Sequence, residues 1–149
     1  MATYTATAFN RAPKAPHTGI QAVYGTFSFP AASSVGDVVF LAKLPEGAVV
    51  YELVEYHSTG ATAQGLDFGL HAGGPGGGSI SASCYIAGGA QATVNRTLVE
   101  ANWGHVVSLT ANAQPRYGIV SATVASGSAT TSLKISYKIL YTVDGSYSG

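Results

Sequence analysis

The 149 residues suffice for one domain around a single core, since a chain of this size buries roughly 68–70% of its unfolded surface. Seven basic and seven acidic residues give a formal net charge of zero, and charged residues make up only 9% of the chain against about 25% in ordinary soluble domains. The basic residues Arg11, Lys14, Lys43, Arg96, Arg116, Lys134 and Lys138 are scattered. That excludes a stripe able to neutralise a run of phosphates, and with it direct nucleic-acid binding.

A neutral surface gains little colloidal repulsion, so part of it is expected to be covered by partners. Cys84 is the single cysteine, which excludes an internal disulfide framework, fits a reducing cytoplasm and reads as a small core residue. The N-terminus has no basic start followed by an apolar run, and no window of about 18 apolar residues occurs. Neither a signal peptide nor a membrane span is expected.

Residues 1–19 carry Pro13 and Pro16 and hold Tyr4 and Phe9 as isolated aromatic anchors. This reads as an extended N-terminal arm, with a disordered tail as the other reading, because termini are ordered only when tied down. A sandwich domain over residues 20–144 and a short tail over 145–149 complete the expected organisation. Ala22 to Phe29 alternates as a strand, with Val23, Phe27 and Phe29 on one parity, and Pro30 ends it.

Gly36 to Val50 then packs a Gly-Asp turn, an apolar strand, the Pro45-Glu46-Gly47 turn and a second apolar strand. Proline pre-sets φ and glycine tolerates positive φ, which predicts a hairpin of two paired strands reversing between Leu44 and Ala48. The second strand is expected to run from Val49 to about His57. Leu66, Phe68 and Leu70 share one face of the next strand. The run Gly73-Gly74-Pro75-Gly76-Gly77-Gly78 cannot sustain a strand or helix and is expected to be a surface loop.

Ser79 to Ile86 resumes the alternation through Ile80, Ala82, Cys84 and Ile86, and a less regular stretch from Thr93 to Glu100 leads to Trp103. His105 to Thr110 and Tyr117 to Val124 read as two further short strands. The last strand carries the clearest pattern, with Leu133, Ile135, Tyr137, Ile139, Tyr141 and Val143 on one face and Lys134, Ser136, Lys138 and Thr142 on the other. About eight strands without a convincing helix predict an all-β fold, a jelly-roll-like β-sandwich, with an immunoglobulin-like sandwich as the other arrangement.

Chemistry-bearing residues are present without a pattern that assembles them. His17, His57, His71 and His105 invite a metal reading, yet Asp67 and His71 on one extended strand stand about 13 Å apart, too far to share an ion. No Gly-x-Ser-x-Gly elbow occurs, Cys84 lies on the apolar parity, and Glu46, Glu52, Glu55 and Glu100 are scattered rather than paired. The glycine loop precedes a strand and lacks a lysine, which removes the phosphate-cradle reading. Asn95-Arg96-Thr97 is a glycosylation sequon that lacks a secretory context. No enzyme activity, cofactor or metal is expected.

Gly36 through Val50, then Leu66-Asp67-Phe68-Gly69 followed by glycines and a final strand ending near Tyr141, resembles the head decoration (cement) proteins of tailed bacteriophages. The likeness spans most of residues 20–143; it departs from the family pattern after the glycine loop, where Ser79 to Ile86 replaces an Asp-Arg-Phe-like segment. The resemblance implies a structural virion protein on the outer capsid surface, made in the host cytoplasm. It further implies a homotrimer that bridges neighbouring major capsid proteins and stabilises the shell, without catalytic residues. Tyr4, Phe9, Arg11, Lys14 and His17 of the arm are the expected capsid or subunit contacts. The alternative is a carbohydrate-binding sandwich module of a phage fibre or receptor-binding structure, in which the chain's many tyrosines and Trp103 would stack on sugars.

Overall fold

The computed structural model describes residues 2–10, 20–29, 34–45, 48–57, 65–72, 78–89, 94–98, 117–126 and 134–143. Among them are β1 (Thr3–Thr5), a 3-10 turn (Thr7–Asn10), β2 (Gln21–Ser28), β3 (Val38–Pro45), β4 (Ala48–His57) and β5 (Gly65–Ala72). β6 (Ser79–Gly89), β7 (Val94–Leu98), β8 (Tyr117–Ser126) and β9 (Lys134–Val143) complete the set. The strand expected over His105 to Thr110, the core of the glycine loop and Trp103 lie outside the described residues. No helix among the described residues is long and apolar enough to cross a membrane.

The strands form a five-stranded sheet in the order β1-β3-β8-β5-β6 and a four-stranded sheet in the order β2-β9-β4-β7. Four antiparallel pairs nest along the chain: β5 with β6, β4 with β7, β3 with β8 and β2 with β9. One long antiparallel ribbon folded over on itself produces that nesting. The pairings of β4 with β9 and of β5 with β8 stitch its arms into two sheets, which is jelly-roll winding. The expected fold class is therefore present, and the nested pairing replaces the immunoglobulin-like alternative.

One expectation fails. β3 and β4 are not a hairpin: β3 lies between β1 and β8 in one sheet, and β4 lies between β9 and β7 in the other. Pro45 is opposite Tyr117, whereas Ala48 is opposite Val143. A Pro-x-Gly turn reverses the chain equally well inside a hairpin and at the rim of a sandwich, and both arrangements need one apolar face per strand. Local sequence carries nothing to separate them. Glu46 and Gly47 themselves lie outside the described residues.

The core fills the space between the sheets. Leu44, Phe68 and Leu70 face inward from the five-stranded sheet, and Leu53, Ile135 and Ile139 from the other, all essentially without solvent exposure. The alternation of β9 holds as expected, with Ile135, Tyr137, Ile139 and Tyr141 buried and Lys134 and Lys138 exposed. Cys84 is a buried free thiol, as its parity predicts.

Two tyrosines of β9 make buried hydrogen bonds, one to the opposite sheet and one to the neighbouring strand β2. A register shift between Phe40 and Ala42 leaves Leu41 without a partner in the β8 ladder. Its carbonyl instead accepts the Tyr137 hydroxyl at 2.6 Å, reached from the opposite sheet. The bulge would otherwise bury an unsatisfied acceptor, which costs about 1–3 kcal/mol. Gly25 of β2 makes room for that crossing, because a Cβ there would stand 2.7 Å from the Tyr137 hydroxyl and 3.1 Å from Ala8 Cβ. The Tyr141 hydroxyl donates to Gln21 Oε1 at 3.0 Å.

Candidate functional site

The N-terminal segment expected to form an arm begins as part of the sandwich. β1 runs parallel to the first residues of β3, with Tyr4 opposite Val39. Asp37 secures it: its Oδ1 accepts from the Ala2 N–H at 2.7 Å and its Oδ2 from the Ser34 N–H at 2.8 Å. These backbone hydrogen bonds, Ser34 first and then Ala2, hold the Asp37 carboxyl below its ordinary pKa of 3.8.

Gly36 adopts φ 93° in the turn closed by the Asp37 N–H on the Ser34 carbonyl at 3.0 Å. A positive φ at the third turn position is the reason a glycine stands there. The Val124 carbonyl accepts the Gly36 N–H, and the Val124 N–H donates to the Asp37 carbonyl, each at 2.9 Å. The Gly36-Asp37 pair thus ties β1, β3 and β8 at one corner. Sequence reasoning marked this pair as the start of a hairpin and missed the strand it holds.

Of the five residues expected to make external contacts, two are engaged within the chain. Tyr4 packs against Phe27 at 6.0 Å and edge-on to Phe29 at 6.3 Å between ring centroids. Phe9 meets Phe40 at 5.5 Å and lies 4.7 Å below the Lys43 ammonium. Arg11, Lys14 and His17 lie outside the described residues.

Phe9 belongs to a cluster on the outer face of the five-stranded sheet. Phe40 stands edge-on to His71 at 5.5 Å, and Lys43 also sits 5.0 Å over Tyr117. His71 Nδ1 and Ser121 Oγ are 2.8 Å apart. Beneath these side chains Ser121 is 0% and Ile119 5% exposed, although both point away from the core. Burial lowers the His71 pKa below 6.5, so the neutral ring is favoured.

This Ser-His contact is not arranged for nucleophilic catalysis, because a fully buried hydroxyl cannot meet a substrate. Glu52 and Glu55 do not pair either: Glu52 is opposite Leu140 on the outer side of β4, and Glu55 is opposite Tyr137 on the core side. Among the described residues no group of three or more His, Cys, Asp or Glu is placed to hold a metal ion.

The outer face of the four-stranded sheet is exposed over part of its area, although Glu52 on that face is buried. Tyr24 is 68% and Tyr56 50% exposed, and Lys134 and Lys138 rise beside them. Tyr24 is opposite Lys138, and Tyr56 is opposite Ser136 between the two lysines. Sequence parity set Tyr24, Lys134 and Lys138 opposite the apolar positions of their strands but assigned Tyr56 no side and did not show that these residues adjoin.

No protein-family model and no curated protein matches the sequence. Among solved structures the chain is similar to one from the capsid of Ralstonia phage GP4, covering 97% of this chain and 100% of that one, at 21% identity and a TM-score of 0.74. It is also similar to a chain of the cyanophage Pam1 capsid asymmetric unit, covering 91% of this chain and 95% of that one, at 20% identity and a TM-score of 0.57. The chain therefore shares its fold, over most of its length, with chains found in two phage capsids.

Proposed function

We propose that this chain is a structural virion protein of a tailed phage that decorates the outside of the capsid. In this reading it acts as a trimer, bridges neighbouring major capsid proteins and stabilises the shell. The observation that carries it is the end-to-end likeness to a chain of the Ralstonia phage GP4 capsid, at a TM-score of 0.74. A fold by itself hosts many functions. The low charge of 9% and the many small residues add support, because such a surface packs closely against protein neighbours.

The N-terminal segment contributes to the capsid contact through Arg11, Lys14 and His17. Tyr4 and Phe9 anchor its start against the sandwich. Many weak contacts repeated over a shell give avidity without a single tight site.

Expanded shells lacking this chain, mixed with the purified protein, test the reading directly. Saturable binding at fixed positions seen by electron cryomicroscopy, with a higher disruption temperature of the shell, is the expected result. Absence of binding, or glycan binding in its place, rejects it. Light scattering should give a trimer, and an Arg11→Ala/Lys14→Ala/His17→Ala variant that binds undiminished would remove the segment from the contact.

A further inference from the structure

Where charge surfaces on this chain is uneven. Among the described residues whose burial is given, Lys134 and Lys138 are charged and exposed, whereas Asp37, Glu52 and Glu55 are buried and Lys43 and Asp67 half-buried. Both lysines stand on the outer face of the four-stranded sheet, because Ile135, Tyr137 and Ile139 on the alternate parity point into the core.

The lysines sit within an aromatic and hydroxyl patch. Lys138 is opposite Tyr24, Ser136 is opposite both Thr26 and Tyr56, and Lys134 is opposite Ser28. Directly opposed residues of an antiparallel pair place their Cβ atoms about 4.5–5.5 Å apart. The two tyrosines therefore flank the two amines on one continuous surface. Tyrosine offers a large contact area at low conformational cost, and exposed amines add long-range steering toward negative charge.

We infer that this face is the docking surface for a protein partner whose contact patch is rich in carboxylates, with Tyr24 and Tyr56 as anchors and Lys134 and Lys138 as the complementary charges. The inference rests on the decoration reading above, under which the partner is a subunit of the shell. A second copy of this chain fits poorly, since none of its described carboxylates is exposed and two such faces would repel. Nucleic acid fits poorly too, because two amines cannot follow a run of phosphates.

The test measures binding of the purified chain to shells lacking it, with three variants beside wild type. Lys134→Ser/Lys138→Ser removes the charges, Tyr24→Ala/Tyr56→Ala removes the anchors, and Ser79→Glu/Ser83→Glu on β6 changes net charge as much as the first variant but on the other sheet. Each of these residues is at the surface or on the outer parity, and thermal melting confirms that the variants fold. Wild-type affinity should fall as salt rises from about 0.05 M to about 0.5 M. Each four-stranded-face variant should bind roughly tenfold more weakly, the serine variant with a flattened salt dependence. The β6 variant should bind within about threefold of wild type.

Wild type bound to shells with both face variants undiminished overturns the docking surface and leaves the decoration reading intact. Equal losses in the lysine and β6 variants reduce the effect to net charge and overturn it as well. Dissociation of the free trimer by the tyrosine variant assigns the face to a second copy instead, again overturning the inference. Failure of wild type itself to bind rejects the decoration reading and this inference with it.

Discussion

On the outer face of the five-stranded sheet Ile119 and Ser121 are buried beneath Phe9, Phe40, Lys43, His71 and Tyr117, whereas on the outer face of the four-stranded sheet Tyr24 is 68% exposed. The two faces are built from the same alternation, one parity in and one out. They differ because the five-stranded face carries its own cover, part of it supplied by the N-terminal segment through Phe9, while the four-stranded face leaves Tyr24, Tyr56 and Lys138 exposed. A side chain that caps its own sheet spends its contact area on folding. One that stands in solvent keeps that area for a partner.

The largest effect should come from breaking the core that both faces share. Ile135→Asp buries a charge at a position with no solvent exposure, and a cost of several kcal/mol should abolish cooperative unfolding. Loss of near-ultraviolet circular dichroism is the check. Retention of a sharp melt would mean that the sheets can part around β9.

A smaller change severs the link between the sheets. Tyr137→Phe removes the donor to the Leu41 carbonyl and should cost about 1–3 kcal/mol in denaturant titration. Gly25→Ala drives a Cβ into the same hydroxyl and should cost about 1–3 kcal/mol by overpacking. The double variant should lose less than the sum, because the clashing oxygen is gone; strict additivity would show that the two residues do not meet.

Asp37→Ala tests the cover more locally. It should speed hydrogen exchange of the Val38 and Ala6 amides, which donate to Ala2 and Phe40, with little change in the global melt. Because the folded pKa of Asp37 is lowered, its contribution is full above about pH 3.8 and is lost as pH falls through the lower folded value. The same amides should therefore stay protected at pH 4.5 (an assay condition of about that value) and open only in stronger acid.

The smallest effect belongs to His71. Its folded pKa lies below 6.5, so the unfolded chain binds the extra proton first, and stability is full above about pH 6.5 and declines as pH falls toward the folded value. Wild type should melt slightly earlier at about pH 5.5 than at about pH 7.5, and His71→Phe should flatten that slope. An unchanged slope would place the titration elsewhere.

Much of this was legible in the residues themselves. The alternation of β9 identified its buried face, the Leu66, Phe68 and Leu70 spacing identified that of β5, and Cys84 fell on the buried side as its parity required. β1 was not legible, because Thr3–Thr5 has no apolar pattern and is a strand only through Asp37 and the edge of β3. The Gly36 to Val50 region was half legible: both strands and the glycine turn were evident, but their partners were not.

For β2 to β6, β8 and β9 the sequence by itself determined that these segments are strands and which way many of their side chains divide, since a period of two and the turn residues are local properties of the backbone. Only the tertiary structure decided that β3 joins β8 while β4 joins β9, that Tyr137 crosses to the Leu41 carbonyl, and that Tyr24 stands opposite Lys138. Each of those depends on residues far apart in the chain, and pairing between distant strands is settled by closing one shared core.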